Sequence, residues 1–205
     1  MRNCRLYLIL DTQVKTYVQL FDIAQQAIGV GVNIVQVRDK HGLTRKTLAF
    51  IDQLKRLTRH KALLIVNDRL DLALASRADG VHLGQDDLPL AAARKIAGPH
   101  MIIGQSCQTW AHAMNAQQEG ADYIGFGSVF ETLTKPDRVP MDFNVLKKVA
   151  RKVKVPLFAI GGIAVDRIAP LKSLGVERFA VCRAICLAND VPKATRAFQK
   201  EISSP

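Results

Sequence analysis

Two cations and an amide alternate along residues 34–40, the segment IVQVRDK. The β-branched residues predict a strand, and strand alternation puts Gln36, Arg38 and Lys40 on one face and Asp39 on the other. An arginine fork beside a mobile lysine ammonium is suited to phosphate oxygens. The alternative is that both cations pair with carboxylates on neighbouring strands.

Two carboxylates offer a second kind of chemistry. Asp68 and Asp87 each come after a predicted strand, and the two strands are consecutive in the sequence. Because neighbouring parallel strands lie about 4.8 Å apart, both carboxylates could approach one cation. Mg²⁺ is commonly held by one or two carboxylates together with substrate phosphates. Spacing alone does not choose between Asp86 and Asp87, and Asp68 could instead cap the helix predicted after it.

The segment FETLTKPD after the sixth predicted strand brings two hydroxyls and a lysine together: Thr132, Thr134 and Lys135. These groups can donate hydrogen bonds to an anion, and a loop of this kind can close on it. An exposed turn built on Pro136 and Asp137 is the alternative.

Short apolar strands alternate with amphipathic segments along the chain. Strands are predicted near 5–10, 33–38, 62–66, 79–83, 101–105, 122–128, 156–160 and 177–182, and helices near 17–29, 44–59, 69–76, 88–97, 109–119, 142–152, 164–174 and 190–202. Strands that are apolar nearly throughout are typical of parallel sheets covered by helices. Eight such units predict a TIM (β/α)8 barrel, with residues 1–205 as one domain of near-minimal size. A doubly wound sheet is the alternative.

In such barrels the active site lies at the carboxyl ends of the strands. Polar residues or glycines follow seven of the predicted strands there: Gln36, Arg38 and Lys40; Asn67 and Asp68; His82, Gln85 and Asp87; Gln105 and Ser106; Thr132, Thr134 and Lys135; Gly161 and Gly162; and Arg183. Gly161 and Gly162 allow backbone N–H groups to approach an anion, and phosphate sites after strands seven and eight are common in this fold. The surroundings of His82, between glycines and apolar residues, are more typical of a structural histidine than of a ligand.

The composition bounds the function further. The chain has 205 residues, 48% of them hydrophobic, and a formal charge of +11, which suits anionic ligands. The basic runs at 46–61 and 147–154 have helical periodicity and are expected to be solvated helix faces. Without interleaved aromatics or a recognisable nucleic-acid motif, we expect no nucleic-acid partner. Apolar runs too short for a membrane span or a signal segment predict a cytoplasmic protein.

The four cysteines are Cys4, Cys107, Cys182 and Cys186. They form neither a CxxC pair nor a zinc pattern with histidine, which favours reduced, structural thiols.

Six motifs taken together resemble one family. VQVRDK, VNDRLDLA, GVHLGQDD, IIGQSC, GADYIGFGSVFETLTK and AIGGI occur between about residue 34 and residue 163 in the order and spacing of the thiamine phosphate synthase family, which belongs to the thiamine phosphate synthase and thiazole tautomerase superfamily. The resemblance implies a Mg²⁺-dependent transferase that joins hydroxymethylpyrimidine diphosphate to thiazole phosphate and releases pyrophosphate. It implies a dissociative step in which the diphosphate leaves before the thiazole nitrogen attacks.

The resemblance also implies roles for individual residues. The diphosphate would be held by Gln36, Arg38, Lys40, Asn67 and Lys135, with Ser106 beside it. Mg²⁺ would be held by Asp68 and Asp87, which decides against Asp86. The aminopyrimidine would lie near His82, and the thiazole phosphate would be contacted by Thr132, Thr134, Gly161 and Gly162. Arg38, Lys40, Ser106 and Lys135 are the implied catalytic residues. The expected partners are these two small molecules, and a homodimer is a compatible assembly.

Three positions depart from the family pattern. Arg183 stands where Ser is usual, Arg178 where Gly is usual, and Leu10 where Thr is common. Arg183 is expected at the phosphate site, where it either strengthens binding or fills the site and changes the second substrate.

Two other functions compete with the synthase. One is a thiazole tautomerase-like isomerase of the same superfamily, and the other is a non-enzymatic binder of phosphate or nucleic acid. The complete diphosphate set, namely Arg38, Lys40, Asp68, Asp87 and Lys135, favours the synthase.

Overall fold

Eight parallel strands form a closed barrel in the order β1 to β8, which confirms the predicted TIM barrel. The computed structural model describes residues 4–133 and 139–204. The strands are β1 Leu6–Asp11, β2 Ile34–Arg38, β3 Leu63–Asn67, β4 Gly80–Leu83, β5 Ile102–Cys107, β6 Tyr123–Phe126, β7 Leu157–Ile160 and β8 Phe179–Val181. The helices are α1 Tyr17–Gly29, α2 Thr44–Thr58, α3 Leu70–Ala75, α4 Leu90–Ala97, α5 Trp110–Gln118, α6 Phe143–Lys152, α7 Ile168–Ser173, α8 Arg183–Cys186 and α9 Val191–Ser203; a 3₁₀ turn, Val165–Arg167, precedes α7.

Most strands are largely apolar on both faces because the barrel has two cores. The larger core lies between the strands and the surrounding helices and includes Leu8, Val35 and Ile124. The smaller core fills the barrel interior, where Tyr7, Tyr123 and Phe158 meet edge to face with ring centroids 5.2–5.9 Å apart. The interior is therefore packed, and open space begins only at the carboxyl ends of the strands.

Several helices begin where a side chain can satisfy a free backbone N–H. Thr16 and Gln19 form a capping box at the start of α1, and Asp142 accepts from the backbone N–H of Asn144 at the start of α6. Asp190 caps α9, where proline also occupies the first turn. These are sequence signals that set where the amphipathic segments begin.

The structure differs from the predicted elements at a few ends. β6 stops at Phe126, and the chain beyond it pairs less regularly with the end of β7, where the Val129 N–H donates to the Ile160 carbonyl. The four-residue helix α8 was not predicted, since four residues carry no periodicity. The alternative in which Asp68 caps a helix is wrong: α3 begins at Leu70, and its N-cap position is Arg69.

The four cysteines are free thiols. In the described part of the chain, no helix is both long and apolar enough to cross a membrane.

Candidate active site

A cavity of about 420 Å³ opens at the carboxyl ends of the strands. Its walls include nearly all of the described residues that the sequence singled out: Gln36, Arg38, Lys40, Asn67, Asp68, His82, Asp87, Ser106, Thr132, Gly161, Gly162 and Arg183. Asp86 also lines it. Thr134 and Lys135 lie outside the described residues. The topology therefore brings these side chains to one mouth, although they are spread over some 150 positions of the sequence.

Arg38 is a buried member of this wall and has an ion-pair partner. Its Nη1 donates to Asp11 Oδ2 at 2.6 Å and to Gln13 Oε1 at 3.0 Å. Arg38 is 7% exposed and Asp11 is fully buried, so neither charge is hydrated as it would be on the surface. The pairing follows from register, since Asp11 of β1 lies opposite Arg38 of β2. For Arg38 the carboxylate-pairing alternative is therefore the observed arrangement, in a side chain that still borders the cavity.

Lys40 and two aspartates form a cluster at the ends of β2, β3 and β4. The Lys40 ammonium donates to Asp68 Oδ2, and Asp87 accepts from the Gly84 backbone N–H at 2.6 Å. Partial burial raises the pKa of Asp87, and the adjacent carboxyl of Asp68 raises it further. Asp68 has a left-handed backbone, φ +60°, which turns its side chain toward this cluster.

Asp39 faces away from the cavity, as alternation predicted, and anchors the loop that carries Lys40. Its carboxylate accepts from Thr12 Oγ1 at 2.8 Å, Thr47 Oγ1 at 2.7 Å, the Gly42 N–H at 2.9 Å and the Tyr17 hydroxyl. Partial burial opposes ionisation of this group, but the donors outweigh it and lower the pKa of Asp39.

A chain of hydrogen bonds crosses the floor of the cavity. Gln36 Nε2 donates to the Tyr7 hydroxyl at 2.8 Å, and that hydroxyl lies 2.9 Å from the Tyr123 hydroxyl. The Tyr123 hydroxyl lies 3.0 Å from His82 Nδ1, and His82 Nε2 lies 2.9 Å from Ser106 Oγ. Burial raises the pKa of both tyrosines, so they remain neutral. His82 is thus held between Tyr123 and Ser106 and lines the cavity.

The opposite wall is a backbone cup after β7, formed by residues 160–163, which we call the glycine cup. Gly161 and Gly162 have φ values of +101° and +62°, which side chains rarely adopt. A Cβ on Gly161 would lie 2.5 Å from Ser128 Oγ, so the cup is also closely packed against the start of the β6–α6 loop. Arg183, the first residue of α8, lies on the cavity wall beside the cup. Among residues 4–133 and 139–204, no carboxylate lies within 4.0 Å of its guanidinium nitrogens.

The other two departures do not reach the cavity. Arg178 precedes β8 at the opposite end of the barrel, where it pairs with Glu177 at 3.1 Å. Leu10 is fully buried in the outer core.

The aspartate cluster fits a divalent cation of the oxygen-ligated kind. The neighbouring carboxyl of Asp68 helps to raise the pKa of Asp87, and a divalent cation beside both carboxylates would offset their repulsion, which Lys40 already offsets in part. Asp87 is half-buried and Asp86 is exposed. No group of three or more His, Cys, Asp or Glu side chains poised for a metal occurs among the described residues, so protein ligands alone would leave most positions open to phosphate oxygens and water.

Several wall and floor residues were missed by sequence reasoning. Tyr7 and Tyr123 look like ordinary core aromatics in strands, and Asp11 looks like a residue that ends one. Cys182 was not expected near the site, yet it lines the cavity. Its pKa is raised, first by a hydrogen bond with Cys186 and then by burial, so its thiol is a poor nucleophile. Strand alternation would have assigned Tyr7 and Tyr123 to the inner face only if the register around the barrel had been known.

Comparison with known proteins agrees with this geometry. Residues 6–185 match the family model described as thiamine monophosphate synthase. The chain belongs to this family. A thiamine-phosphate synthase of Methanospirillum hungatei is 40% identical over 198 residues, which cover 96% of either chain. The solved thiamine phosphate pyrophosphorylase of Pyrococcus furiosus is 38% identical, with a TM-score of 0.89 over 97% of this chain and 95% of that one.

Some relatives are longer than this chain. A thiamine-phosphate synthase of Gloeobacter violaceus is 43% identical over 200 residues, but the chain spans only 58% of its length. A solved 3-hexulose-6-phosphate synthase, 19% identical with a TM-score of 0.73, shares the fold alone. The predicted family resemblance is confirmed.

Proposed function

We propose that the chain is a Mg²⁺-dependent thiamine phosphate synthase. The proposal rests on one cavity that has the Lys40, Asp68 and Asp87 cluster on one wall and the glycine cup on the other. The chain that contains this cavity belongs to the thiamine monophosphate synthase family. Two phosphorylated substrates can therefore bind face to face, with the diphosphate of the pyrimidine near Lys40 and the phosphate of the thiazole near the cup. Such juxtaposition supplies much of the acceleration in a two-substrate reaction.

Asp68 and Asp87 would hold Mg²⁺, which supplies positive charge against the diphosphate when it is bound. Lys40 pairs with Asp68 and is 39% exposed at its side chain, so it can move its ammonium from that carboxylate to a phosphate oxygen. Ser106 lies at the end of the floor chain, where its hydroxyl can donate to the leaving group. Lys135, outside the described residues, completes the proposed set. Arg38, tied to Asp11, stabilises this wall by charge without leaving its partner.

The proposed reaction needs no nucleophile from the protein. The bond between the pyrimidine methylene and the diphosphate oxygen breaks, and its electron pair leaves with pyrophosphate. The thiazole nitrogen then donates its lone pair to the methylene cation to form the new carbon–nitrogen bond. Negative charge grows on the leaving group, and Lys40 offsets it in the transition state. His82 is held by Tyr123 and Ser106 where it can contact the aminopyrimidine.

Arg183 is proposed as a phosphate ligand on the thiazole side. Arg38 and Lys40 both have carboxylate partners, whereas Arg183 has none among the described residues, and it lines the cavity beside Gly161. A guanidinium in place of the usual serine is expected to strengthen phosphate binding without changing the reaction.

The first experiment is an assay of the purified chain with both substrates and Mg²⁺, in which thiamine phosphate and pyrophosphate are measured together. We expect equal amounts of the two products and none after removal of divalent ions by a chelator. Folded protein that forms neither product would refute the proposal. Isomerisation of a thiazole phosphate without pyrophosphate would support the tautomerase-like alternative, and salt-sensitive duplex binding would support a nucleic-acid binder.

A matched pair of variants tests the metal ligands. Asp87→Asn is expected to raise the Mg²⁺ concentration required for half-maximal rate roughly tenfold or more, since losing even a supporting group of a metal site costs that much. Asp86→Asn, one residue away and exposed, is expected to leave the requirement unchanged. Equal effects of the two substitutions would contradict the assignment of Asp87.

A further inference from the structure

Arg167 lies behind the glycine cup, outside the cavity wall. It ends the 3₁₀ turn Val165–Arg167, and its Nη1 donates to the Gly162 carbonyl at 2.6 Å. Arg167 is half-buried and does not line the cavity. A role for it would therefore be exerted through the cup and not on a substrate.

The hydrogen bond fixes the orientation of one peptide group. In a trans peptide, the carbonyl of one residue and the N–H of the next point in opposite directions. Because the Gly162 carbonyl is turned back toward Arg167, the Ile163 N–H is turned the other way, and Ile163 lines the cavity. In the part of the chain that the structure describes, this N–H donates to no backbone or side-chain acceptor. A backbone N–H left in this way at a cavity wall is suited to a phosphate oxygen.

Arg167 also connects the cup to the β6–α6 loop. Its guanidinium carbon lies 4.4 Å from the centroid of the Phe130 ring, and that ring meets Phe143 edge to face at 5.6 Å. The Phe130 N–H donates to the Gly161 carbonyl at 3.1 Å. A Cβ on Gly162 would lie 2.5 Å from the Glu131 carbonyl oxygen, so the two segments are in direct contact. One side chain thus contacts the cup by a charge-assisted hydrogen bond and the adjoining β6–α6 loop by a cation–π contact.

We propose that Arg167 is a positioning residue that sets the affinity of the glycine cup for the phosphate of the second substrate. The proposal rests on the synthase function for the identity of that substrate, but the orientation of the cup can be measured without turnover. Nothing in the motifs pointed to Arg167, because its side chain acts on a carbonyl five residues earlier in the chain.

The test compares Arg167→Met with Arg196→Met, which removes an exposed arginine on α9. In Arg167→Met we expect the KM for thiazole phosphate to rise about tenfold, the effect of losing one hydrogen bond to a charged group. The KM for the pyrimidine diphosphate is expected to stay within about twofold, because that substrate binds the other wall. Arg167→Lys, which retains the charge and a donor, is expected to recover most of the loss. Arg196→Met is expected to match the parent protein throughout.

Hydrogen exchange in the protein alone separates this proposal from the proposed function. The amide of Phe130 is expected to exchange faster in Arg167→Met, while amides in β1 and β2 are unchanged. Titration with thiazole phosphate, followed by calorimetry, should show the same weakening as the KM. If the parent protein makes no thiamine phosphate, the synthase proposal falls, and the exchange data still decide whether Arg167 orients the cup.

Equal rises in both KM values, or an unchanged exchange rate at Phe130, would overturn the positioning role. If Arg167→Met does not fold, Phe130→Leu removes the ring under the guanidinium and provides the same test. It is expected to raise only the KM for thiazole phosphate, and a rise in both KM values would overturn the proposal in that variant too.

Discussion

Gly104 of β5 is predicted to be highly sensitive to the addition of a side chain. A Cβ at this position would lie 2.1 Å from Cζ and 2.3 Å from Cε1 of Tyr123. Both atoms belong to the body of a rigid ring, and Tyr123 is fully buried. Its ring is enclosed by Tyr7, Phe158 and His82, with centroids 5.9, 5.6 and 5.4 Å away. The ring cannot retreat without moving these neighbours.

The cost of Gly104→Ala follows from this packing. Overpacking a close-packed core costs about 1–3 kcal/mol, and a ring enclosed on three sides belongs at the upper end of that range. Displacing the Tyr123 hydroxyl would also weaken its hydrogen bonds to Tyr7 and His82, each worth about 1 kcal/mol. We therefore expect the free energy of unfolding to fall by about 4 kcal/mol and Tm by roughly 12 °C for a chain of this size.

The assay is urea unfolding of Gly104→Ala beside Gly29→Ala. Gly29 ends α1, has no atom within 4 Å of an added Cβ and does not have a positive φ. Alanine there is expected to be neutral or to stabilise the protein by up to about 1 kcal/mol. Losses below about 1 kcal/mol for Gly104→Ala would refute the reasoning, because the Tyr123 ring would then have room to move.

Three further predictions concern charged and thiol groups. Arg38→Ala is expected to lower the free energy of unfolding, measured by urea titration at neutral pH, by about 3–5 kcal/mol, because it leaves the buried carboxylate of Asp11 without a counter-ion. An unchanged urea midpoint would contradict the importance of that ion pair. Asp39→Asn is expected to cost about 1 kcal/mol, allowing for partial exposure, because it removes a charged acceptor. Folding lowers the pKa of Asp39, so the stabilisation by its carboxylate is present above the unfolded pKa of about 3.9 and is lost as pH falls through the lower folded pKa. The stabilities of parent and variant should therefore converge in acid. A difference that stays constant with pH would contradict the role of the carboxylate. Burial raises the pKa of Cys107 to about 12, so this thiol should resist alkylation near pH 8 until the protein is unfolded. Rapid alkylation of Cys107 in the native protein, located by mass spectrometry, would contradict this prediction.

The sequence was sufficient for the barrel because the relevant signal is periodic and local. Strands such as ALLIV and RFAVC are apolar nearly throughout because two cores enclose them, and helix starts such as Thr16 carry their own capping residues. The position of the site was also predictable, since carboxyl ends of parallel strands meet at one mouth whatever the side-chain details.

Partners across strands were not predictable in the same way. The pair between Arg38 and Asp11 depends on the register of β1 against β2, which no local pattern encodes. The contact of Lys40 with Asp68 depends on a left-handed backbone at a non-glycine residue, which is uncommon. Arg167 acts on a carbonyl, an acceptor that every residue has, so the sequence gives no sign of which one it chooses.

The ion pair between Lys40 and Asp68 has a consequence for how strongly salt affects ligand binding at this wall of the cavity. Lys40 already has an internal counter-ion in Asp68, so an arriving phosphate would exchange with that carboxylate instead of displacing a dissolved anion, whereas Arg38 keeps its buried partner Asp11. Such an exchange leaves the number of ions in solution nearly constant, and the affinity then depends weakly on ionic strength. The formal charge of +11 attracts polyanions in general, so at this wall the exchange of ion-pair partners at Lys40 would add a discrimination that long-range attraction does not provide.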